Sequence, residues 1–482
     1  MFDLKKKIYQ ASPGFVQRAL GWVPYSLLAG RSYRKTAALA GRLEFAKPDV
    51  LDAFVETALA DILRHAVENV PAYEHLRATV GRLSAFEALK AFPLIDKAAI
   101  RNDPVKYTAR NVSSLASYAA TTGGTTGTPL TFRLDSDSYG REMAAIHHQW
   151  QRVGYKTRHR KATFRGVRFR DAQAGVFWQQ NPIHGELQFS PFHMSDNNLE
   201  LYIQKLREFR PVFLHGYPSA IDSLAEFILR NQRQKDLPPI RAALLASQGC
   251  LCHERQRIEE AFHTRVYTHY GHSERLILAG ECEQDLAYHL VPWYGVLEII
   301  DDGQHCCSEP GQEGELVGTG LWNLSMPLIR YRTGDYGTRR ESHCSCGRHW
   351  QRFDNIRGRA NTEALITRSG TRIPAAIFGP DDTLFKNVKR YQFFQDRAGA
   401  FEVRLMVNPR FSPAELPRME TMFNQKVWGE LDVSLKVVDD IPLTTAGKHK
   451  RVICTLLDES SGEALAPSPQ EPAKGASHAS CH

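Results

Sequence analysis

Several stretches of this chain carry residue types at spacings that chemistry can use. TTGGTTGTPL (121–130) places Gly123, Gly124 and Gly127 among threonines. Those glycines allow a tight backbone whose N–H groups surround an anion, and Thr121, Thr122, Thr125 and Thr126 add hydroxyl donors. Such a loop can hold phosphate without a lysine. It is not the GxxxxGK[ST] loop, because Thr128 stands where that motif needs lysine, and a polar Gly/Thr turn reads the same residues equally well. YGHSE (270–274) brings a phenol, Tyr270, a hydroxyl, Ser273, and a carboxylate, Glu274, into one short segment. YRTGD (331–335) ends on Asp335, which by itself reads as a turn aspartate after glycine. PLTTAGKHKR (442–451) sets Lys448 after Gly447, which alone is a surface turn.

The cysteines give a second signal. Cys344 and Cys346 lie in HCSCGR, while Cys282 and His289 are separated by six residues in ECEQDLAYHL. Three thiolates and one imidazole suit tetrahedral Zn2+, and a closed four-ligand shell would make the site structural. His305, Cys306 and Cys307 form a rival set, and buried or surface thiols of no consequence are the bland reading. Nine cysteines in a chain with no secretion signal argue against a disulfide framework.

These residues need elements to hold them. Apolar spacing in DAFVETALADILRHAVENV, a break at Pro71, a further helix at 84–89 and a turn followed by one more in AFPLIDKAAI make residues 1–110 mostly helical. From about 115 to 340, apolar runs alternate with helical segments: RPVFLHGY then PSAIDSLAEFILRNQ, AALLASQG then HERQRIEEAF, then TRVYTHYG. That alternation implies an α/β arrangement with partly parallel sheets. Beyond 360 the pattern becomes a small α+β unit, with ALITRSGTRI as a hairpin, FEVRLMV and LDVSLKVV as strands and SPAELPRMETMFNQKVWGE as a helix. ALAPSPQEPAKGASHASCH at the end has the composition of a disordered tail.

With 42% hydrophobic and 24% charged residues over 482 positions, the composition is that of a soluble globular protein. The start, MFDLKKKIYQ, lacks an apolar run or cleavage site, and no window reaches eighteen apolar residues, so a cytoplasmic protein without a membrane span is expected. A net charge of +8, read as cations scattered among carboxylates, favours anionic small ligands over nucleic acid.

In their order along the chain, TTGGTTGTP, YGHSE, YRTGD and PLTTAGKHKR resemble the phosphate loop, the Tyr-Gly-x-Ser/Thr-Glu motif, the Thr-Gly-Asp motif and the C-terminal Gly-Lys motif of acyl-adenylate-forming enzymes. ENVPAYEHL, PLIDKAAIR, LHGYPSAIDSLAEFI and GELVGTGLWNLSMPLIRYRTGD are similar to the branch that contains phenylacetate–CoA ligase and the CapK-type proteins. The resemblance runs from about residue 50 to 455.

The resemblance implies a large N-terminal adenylation domain of mixed β-sheets and helices over 1–360. It also implies a small mobile α+β C-terminal domain over 361–458 carrying the catalytic lysine, and a tail over 459–482. Its chemistry is ATP-dependent activation of a carboxylic acid, aryl or arylalkyl, to an acyl-AMP, followed by transfer to CoA. In such enzymes Thr122, Gly124, Thr125, Thr126 and Gly127 would wrap the β- and γ-phosphates. Glu274 would bind Mg2+ and Ser273 touch the α-phosphate. Tyr270 would flank the adenine, with Gly249 passing beneath it, and Asp335 would accept from both ribose hydroxyls. Arg359 would reach the ribose beside a pivot at Asn361 or Thr362. Lys448 would bridge carboxylate and α-phosphate, and Gly216 and Tyr217 would wall the acyl pocket. HHQW (147–150) falls on a helix lining that pocket, where paired histidines are more often partly exposed than functional. RGVRFRD reads as a solvated strand edge before a CoA-phosphate patch. Similar Cys/His sets occur in the CapK-type branch. Acyl transfer to an amine or hydroxyl, and an inactive nucleotide-binding scaffold, are the alternatives; the missing loop lysine is the hint for the latter. A homodimer is compatible with all three.

Overall fold

The computed structural model describes residues 9, 12–111, 117–121, 130–166, 169, 174–247, 249–250, 252–301, 303–357, 364–378, 384–385, 387–427, 429–442 and 452–457. The N-terminal part is helical, with Gly14–Gly21 (α1), Gly30–Leu43 (α2), Pro48–Asn69 (α3), Ala85–Lys90 (α4) and Lys97–Asn102 (α5). Local chemistry sets these boundaries. Pro48 opens α3 where its missing N–H costs nothing, and α3 ends before Pro71. Ser84 and Glu87 close a reciprocal capping box on α4, and the Asp96 carboxylate accepts the Ala99 N–H at 2.8 Å to start α5.

Ser117–Thr121 (β1) and Thr131–Asp135 (β2) pair antiparallel up to Thr121↔Thr131, and Ser138–Gln151 (α6) follows. The main sheet then takes in Lys161–Phe164 (β3), Trp178–Asn181 (β4), Glu186–Phe189 (β5), Phe213–Gly216 (β6), Ala242–Leu245 (β7), Arg265–Gly271 (β8) and Leu278–Glu281 (β9). Tyr288–Leu290 (β10), Gly295–Ile300 (β11), Glu313–Gly320 (β12), Tyr331–Arg340 (β13) and Arg352–Arg357 (β14) complete its twelve strands. Their order is β11-β12-β13-β14-β10-β9-β8-β7-β6-β3-β5-β4. Strands β5, β3, β6, β7 and β8 are parallel neighbours, whereas β8 through β11 along that order pair antiparallel.

The parallel half matches the expected alternation. Strands β3, β6 and β7 are buried throughout, as strands covered on both faces must be. Asp196–Phe209 (α7), Pro218–Arg230 (α8) and Cys252–Phe262 (α9) cover them. One apolar cluster joins Leu199, Tyr202, Ile221, Leu224 and Ile258 to Phe164, Leu214 and Leu245. The antiparallel half, from 278 to 357, is the part that the expected βα alternation did not describe. Its strands pair antiparallel with β10 set between β9 and β14, and no helix among the described residues joins them, so it leaves no helical period to read.

Ala364–Ile366 (β15) and Arg372–Pro374 (β16) form the expected hairpin. A four-stranded sheet follows, in the order Asp432–Val437 (β19), Ala400–Val407 (β18), Val388–Arg397 (β17), Val452–Cys454 (β20), with Leu416–Val427 (α10) against it. Its core of Phe378, Phe393, Phe401, Met419 and Phe423 includes Phe192 from the N-terminal part. Residues 458–482, the expected tail, lie outside the described residues.

Candidate active site and metal centre

Ligands of α/β sheets bind beyond the carboxyl ends of parallel strands, and the candidate residues gather there. At the end of β6, Gly216 has φ +149°, and a Cβ there would stand 2.2 Å from the Phe164 carbonyl oxygen. Only glycine lets β6 pass β3 so closely. The next residue, Tyr217, donates its N–H to the same carbonyl at 3.0 Å and begins α8. Arg165, just past β3, lies 5.8 Å over the Tyr217 ring and donates to Ser247 Oγ at 2.9 Å beyond β7. Three strand ends thus meet in one wall, and Gly249 lies a little further along the β7 connection.

At the end of β8, Tyr270 Oη donates to Asp335 Oδ2 at 2.9 Å. Burial, with Asp335 adding to it, pushes the phenol well above its ordinary pKa, so it stays a donor. Asp335 is held in turn: its N–H donates to Thr333 Oγ1 at 3.1 Å, and Gly334, at φ +75°, donates to Glu315. Glu274 is buried, with 4% of its surface exposed. Burial alone raises its carboxyl. The His272 ring, Lys97 and a 2.7 Å hydrogen bond from Tyr331 Oη outweigh that and hold it below the usual range. Ser273 is exposed beside it, and both ring nitrogens of His272 lack a partner among the described residues.

Lys97, Tyr331, His272 and Arg275 were not singled out by sequence reasoning. Lys97 sits in PLIDKAAIR, directly after the Asp96 cap. Ile95 bridges to the start of β13, with Ile95 N–H to Arg330 O at 3.1 Å and Arg332 N–H to Ile95 O at 2.8 Å. That bridge sets Lys97 Nζ 3.9 Å from Glu274 Oε1. Arg275 pairs with Glu142 of α6 at 2.9 Å and donates to Tyr118 of β1 at 3.0 Å. It therefore ties the strand that leads into the Gly/Thr segment to the Glu274 turn. Thr122, Gly124, Thr125, Thr126, Gly127, Arg359, Asn361, Thr362 and Lys448 lie outside the described residues. So does most of RGVRFRD, apart from Arg165, Gly166 and Phe169.

The expectation that paired helix histidines are partly exposed is corrected. His147 and His148 are 2% and 5% exposed. His147 Nδ1 shares a hydrogen bond with Tyr33 Oη at 3.0 Å, and its ring packs on Trp150 and Tyr155. Burial, with the nearby Lys161 adding to it, drives its pKa well below the ordinary value. Cover on two sides explains the difference: Tyr33 of α2 packs with Ala144 and His147, and Trp150 packs with Phe213 and Leu244 of the sheet, so His147, His148, Gln149 and Trp150 are all buried.

The second cluster is independent of the first. Cys282 follows β9, His289 lies on β10, and Cys344 and Cys346 lie between β13 and β14. Because β9, β10 and β14 are adjacent strands, the four ligand atoms fall within 4.8 Å of one another. Cys282 Sγ is 3.7 Å from Cys344 Sγ, and Cys346 Sγ is 3.5 Å from His289 Nε2. The fit to zinc extends outward. Gln284 and Asp285 donate N–H groups to the Cys282 sulfur at 3.3 and 3.2 Å, and His289 Nδ1 is 3.2 Å from the Ala287 carbonyl, which leaves Nε2 for a metal. Arg348, ion-paired to Glu44 and Glu283, adds positive charge beside Cys346. The rival set does not converge: the His305 side chain is 82% exposed, Cys306 is exposed and Cys307 is buried.

Comparison with known proteins bears on the fold and the relatives of the chain. Residues 365–455 match the model of the CapK C-terminal domain. Protein CapK of Staphylococcus aureus is 28% identical over 252 residues, 51% of this chain and 53% of that one, so the match spans about half the relative's length. Phenylacetate-coenzyme A ligase of Thermus thermophilus is 23% identical over 445 residues, covering 85% of this chain and 98% of that one. The Pseudomonas putida protein of the same name is 25% identical over 437 residues, covering 86% and 94%. Among solved structures, 2-hydroxyisobutyryl-CoA ligase in complex with 2-HIB-AMP and CoA superposes with TM-score 0.58 at 18% identity, covering 86% of this chain and 91% of that one, a likeness of fold. The chain is thus similar to the phenylacetate-coenzyme A ligases over most of its length and to CapK in its C-terminal unit, and its twelve-stranded sheet with a small C-terminal unit shares the fold of 2-hydroxyisobutyryl-CoA ligase.

Proposed function

We propose that the chain is an AMP-forming acid–CoA ligase that converts a carboxylic acid, aryl or arylalkyl, to an acyl-AMP and then to a CoA thioester. The observation that carries this reading is the set of groups at the sheet's carboxyl edge, Asp335 held by Tyr270 and a buried charged Glu274 beside Lys97. Activation of a carboxylate by ATP is mostly charge neutralisation and in-line positioning. Asp335 is suited to accept from ribose hydroxyls, and His272 has ring nitrogens to offer a substrate. Lys97 supplies a positive charge in a chain whose Gly/Thr loop lacks the usual lysine. Mg2+ takes oxygen ligands, commonly one or two carboxylates together with substrate phosphates. Glu274 offers a buried ionised carboxylate of that kind, and bound Mg2+ would neutralise phosphate charge there.

In the same reading, residues 1–360 act as the adenylation domain. Residues 361–458 act as a mobile domain that brings Lys448 to the α-phosphate, and the Gly/Thr segment cradles phosphates. Zn2+ held by Cys282, His289, Cys344 and Cys346 is structural. The chain works in the cytoplasm; no helix among the described residues is long and apolar enough to cross a membrane. A second reading keeps the same acyl-AMP and passes it to an amine or hydroxyl instead of CoA.

Pyrophosphate exchange with a panel of carboxylic acids that includes phenylacetate tests adenylation. Mass analysis of products with CoA and with candidate amines and hydroxyl acceptors then identifies the acceptor. No exchange with any acid would favour the scaffold reading.

A further inference from the structure

The surplus of positive charge is not spread through the chain, which corrects the scattered distribution expected from the whole-chain count. Residues 4–43 contain Lys5 to Lys7, Arg18, Arg31, Arg34, Lys35 and Arg42 and no carboxylate, which equals the entire net charge of +8. The rest of the chain is balanced.

The same segment carries the most exposed aromatic side chain among the described residues. In α1, one face is committed to the body of the protein: Gln17 is buried, and a Cβ on Gly21 would lie 2.8 Å from the Pro182 side chain. The opposite stripe, at i, i+3, i+4 and i+7, is Phe15, Arg18, Ala19 and Trp22, all exposed. Phe15 is 67% exposed, Trp22 86% and the nearby Leu27 58%. A helix lying on a soluble protein puts polar side chains on that stripe. Here it is aromatic and cationic. Arg34 donates to the Ser26 carbonyl at 3.1 Å, which holds a guanidinium beside Leu27, and Arg31 is exposed on the next turn.

Large apolar side chains with cations among them have two opposed demands, removal from water and contact with anions. An interface of anionic headgroups over acyl chains meets both. A folded acidic protein would satisfy the charge, but it would need pockets shaped for two projecting aromatics, whereas lipid needs none.

We propose that this N-terminal face docks the protein peripherally on an anionic lipid surface, with Phe15, Trp22 and Leu27 at the headgroup boundary and Arg18, Arg31 and Arg34 on lipid phosphates. The proposal goes beyond the ligase reading and does not depend on it.

Co-sedimentation of the full chain with vesicles tests it, using phosphatidylcholine alone or mixed with phosphatidylglycerol, at low and high salt. Binding is expected to the phosphatidylglycerol vesicles only, and to fall at high salt as the charges are screened. Each cation near an anionic leaflet contributes roughly fivefold to partitioning. Combining Arg18→Gln, Arg31→Gln and Arg34→Gln should therefore weaken binding by about a hundredfold, and Phe15→Ala with Trp22→Ala by about tenfold or more. These are exposed positions, so thermal melting should not move, which separates lost docking from lost folding. No binding to phosphatidylglycerol vesicles at low salt overturns the proposal, as does equal binding to neutral vesicles or undiminished binding by both variants. Capture of an acidic polypeptide without vesicle binding would assign the face to a protein instead.

Discussion

Two carboxylates show how much the surroundings of a residue decide its role. Glu274 is kept ionised by Lys97, His272 and the Tyr331 hydroxyl against the burial that would protonate it. In the proposed reading Glu274→Gln loses that negative charge where Mg2+ would be held, so acid-dependent pyrophosphate exchange should fall by about two orders of magnitude or more. Thermal melting should barely change. Unaltered exchange would place the metal elsewhere. Glu186 is a structural counterpart on β5. Burial raises its carboxyl, but Lys161 at 3.1 Å, with His184 and His215, outweighs burial and holds it at about 2. A pKa depressed by folding contributes stability that is present above the ordinary carboxylate pKa and lost as pH falls toward the folded value. The wild type should accordingly lose stability between about pH 4.5 and 2. Glu186→Gln leaves Lys161, 2% exposed, as an uncompensated buried cation. It should cost on the order of 3–5 kcal/mol by urea unfolding at neutral pH.

At the scale of elements, the cysteine cluster explains why three short strands and a long connection hold one arrangement. The segment between β13 and β14 has no regular structure, yet Cys344 and Cys346 bring it to β9 and β10. Zinc bound there would be coupled to folding, since a preformed site does not exist in the unfolded chain. Freshly purified protein should contain about one equivalent of zinc. Cys346→Ser should lose it and melt at lower temperature, whereas Cys306→Ser should keep it. Zinc lost equally in both variants would argue for the rival ligands, and none in unchelated wild type would leave the cluster as buried thiols. The parallel strands need no such staple. Their ends are set by backbone contact, as at Gly216 against the Phe164 carbonyl.

Across the whole molecule, the C-terminal unit is tied to the body. Arg372 of β16 pairs with buried Glu254 of α9 at 2.8 Å, Ser223 of α8 donates to Thr371 at 3.0 Å, and Phe192 is enclosed in the C-terminal core. A C-terminal domain that alternates between half-reactions has to exchange these contacts. In the proposed reading Lys448 would supply a point charge on a long side chain, stabilising the adenylation transition state and then withdrawing. Lys448→Ala should nearly abolish acyl-AMP formation and retain much of the transfer from supplied acyl-AMP to CoA. Both half-reactions falling equally would keep the lysine and remove alternation as its reason.

Sequence alone determined the parts that local chemistry controls. These include the helices at 84–89 and in AFPLIDKAAI, the alternation of buried strands and helices from 213 to 271, the 364–374 hairpin, and the two rival sets of candidate metal ligands. Each depends on side-chain type and spacing within a few residues, or on a rare set of thiols. Tertiary structure decided what depends on distant segments meeting. Lys97 reaches Glu274 only because Ile95 pairs beside Tyr331, and Arg275 finds Glu142 across the helix–sheet interface. It also chose Cys282, His289, Cys344 and Cys346 over the His305 set, since adjacency of β9, β10 and β14 brings the first four together. Spacing along a chain cannot report such meetings, because strand order in a sheet is set by packing among elements far apart in sequence.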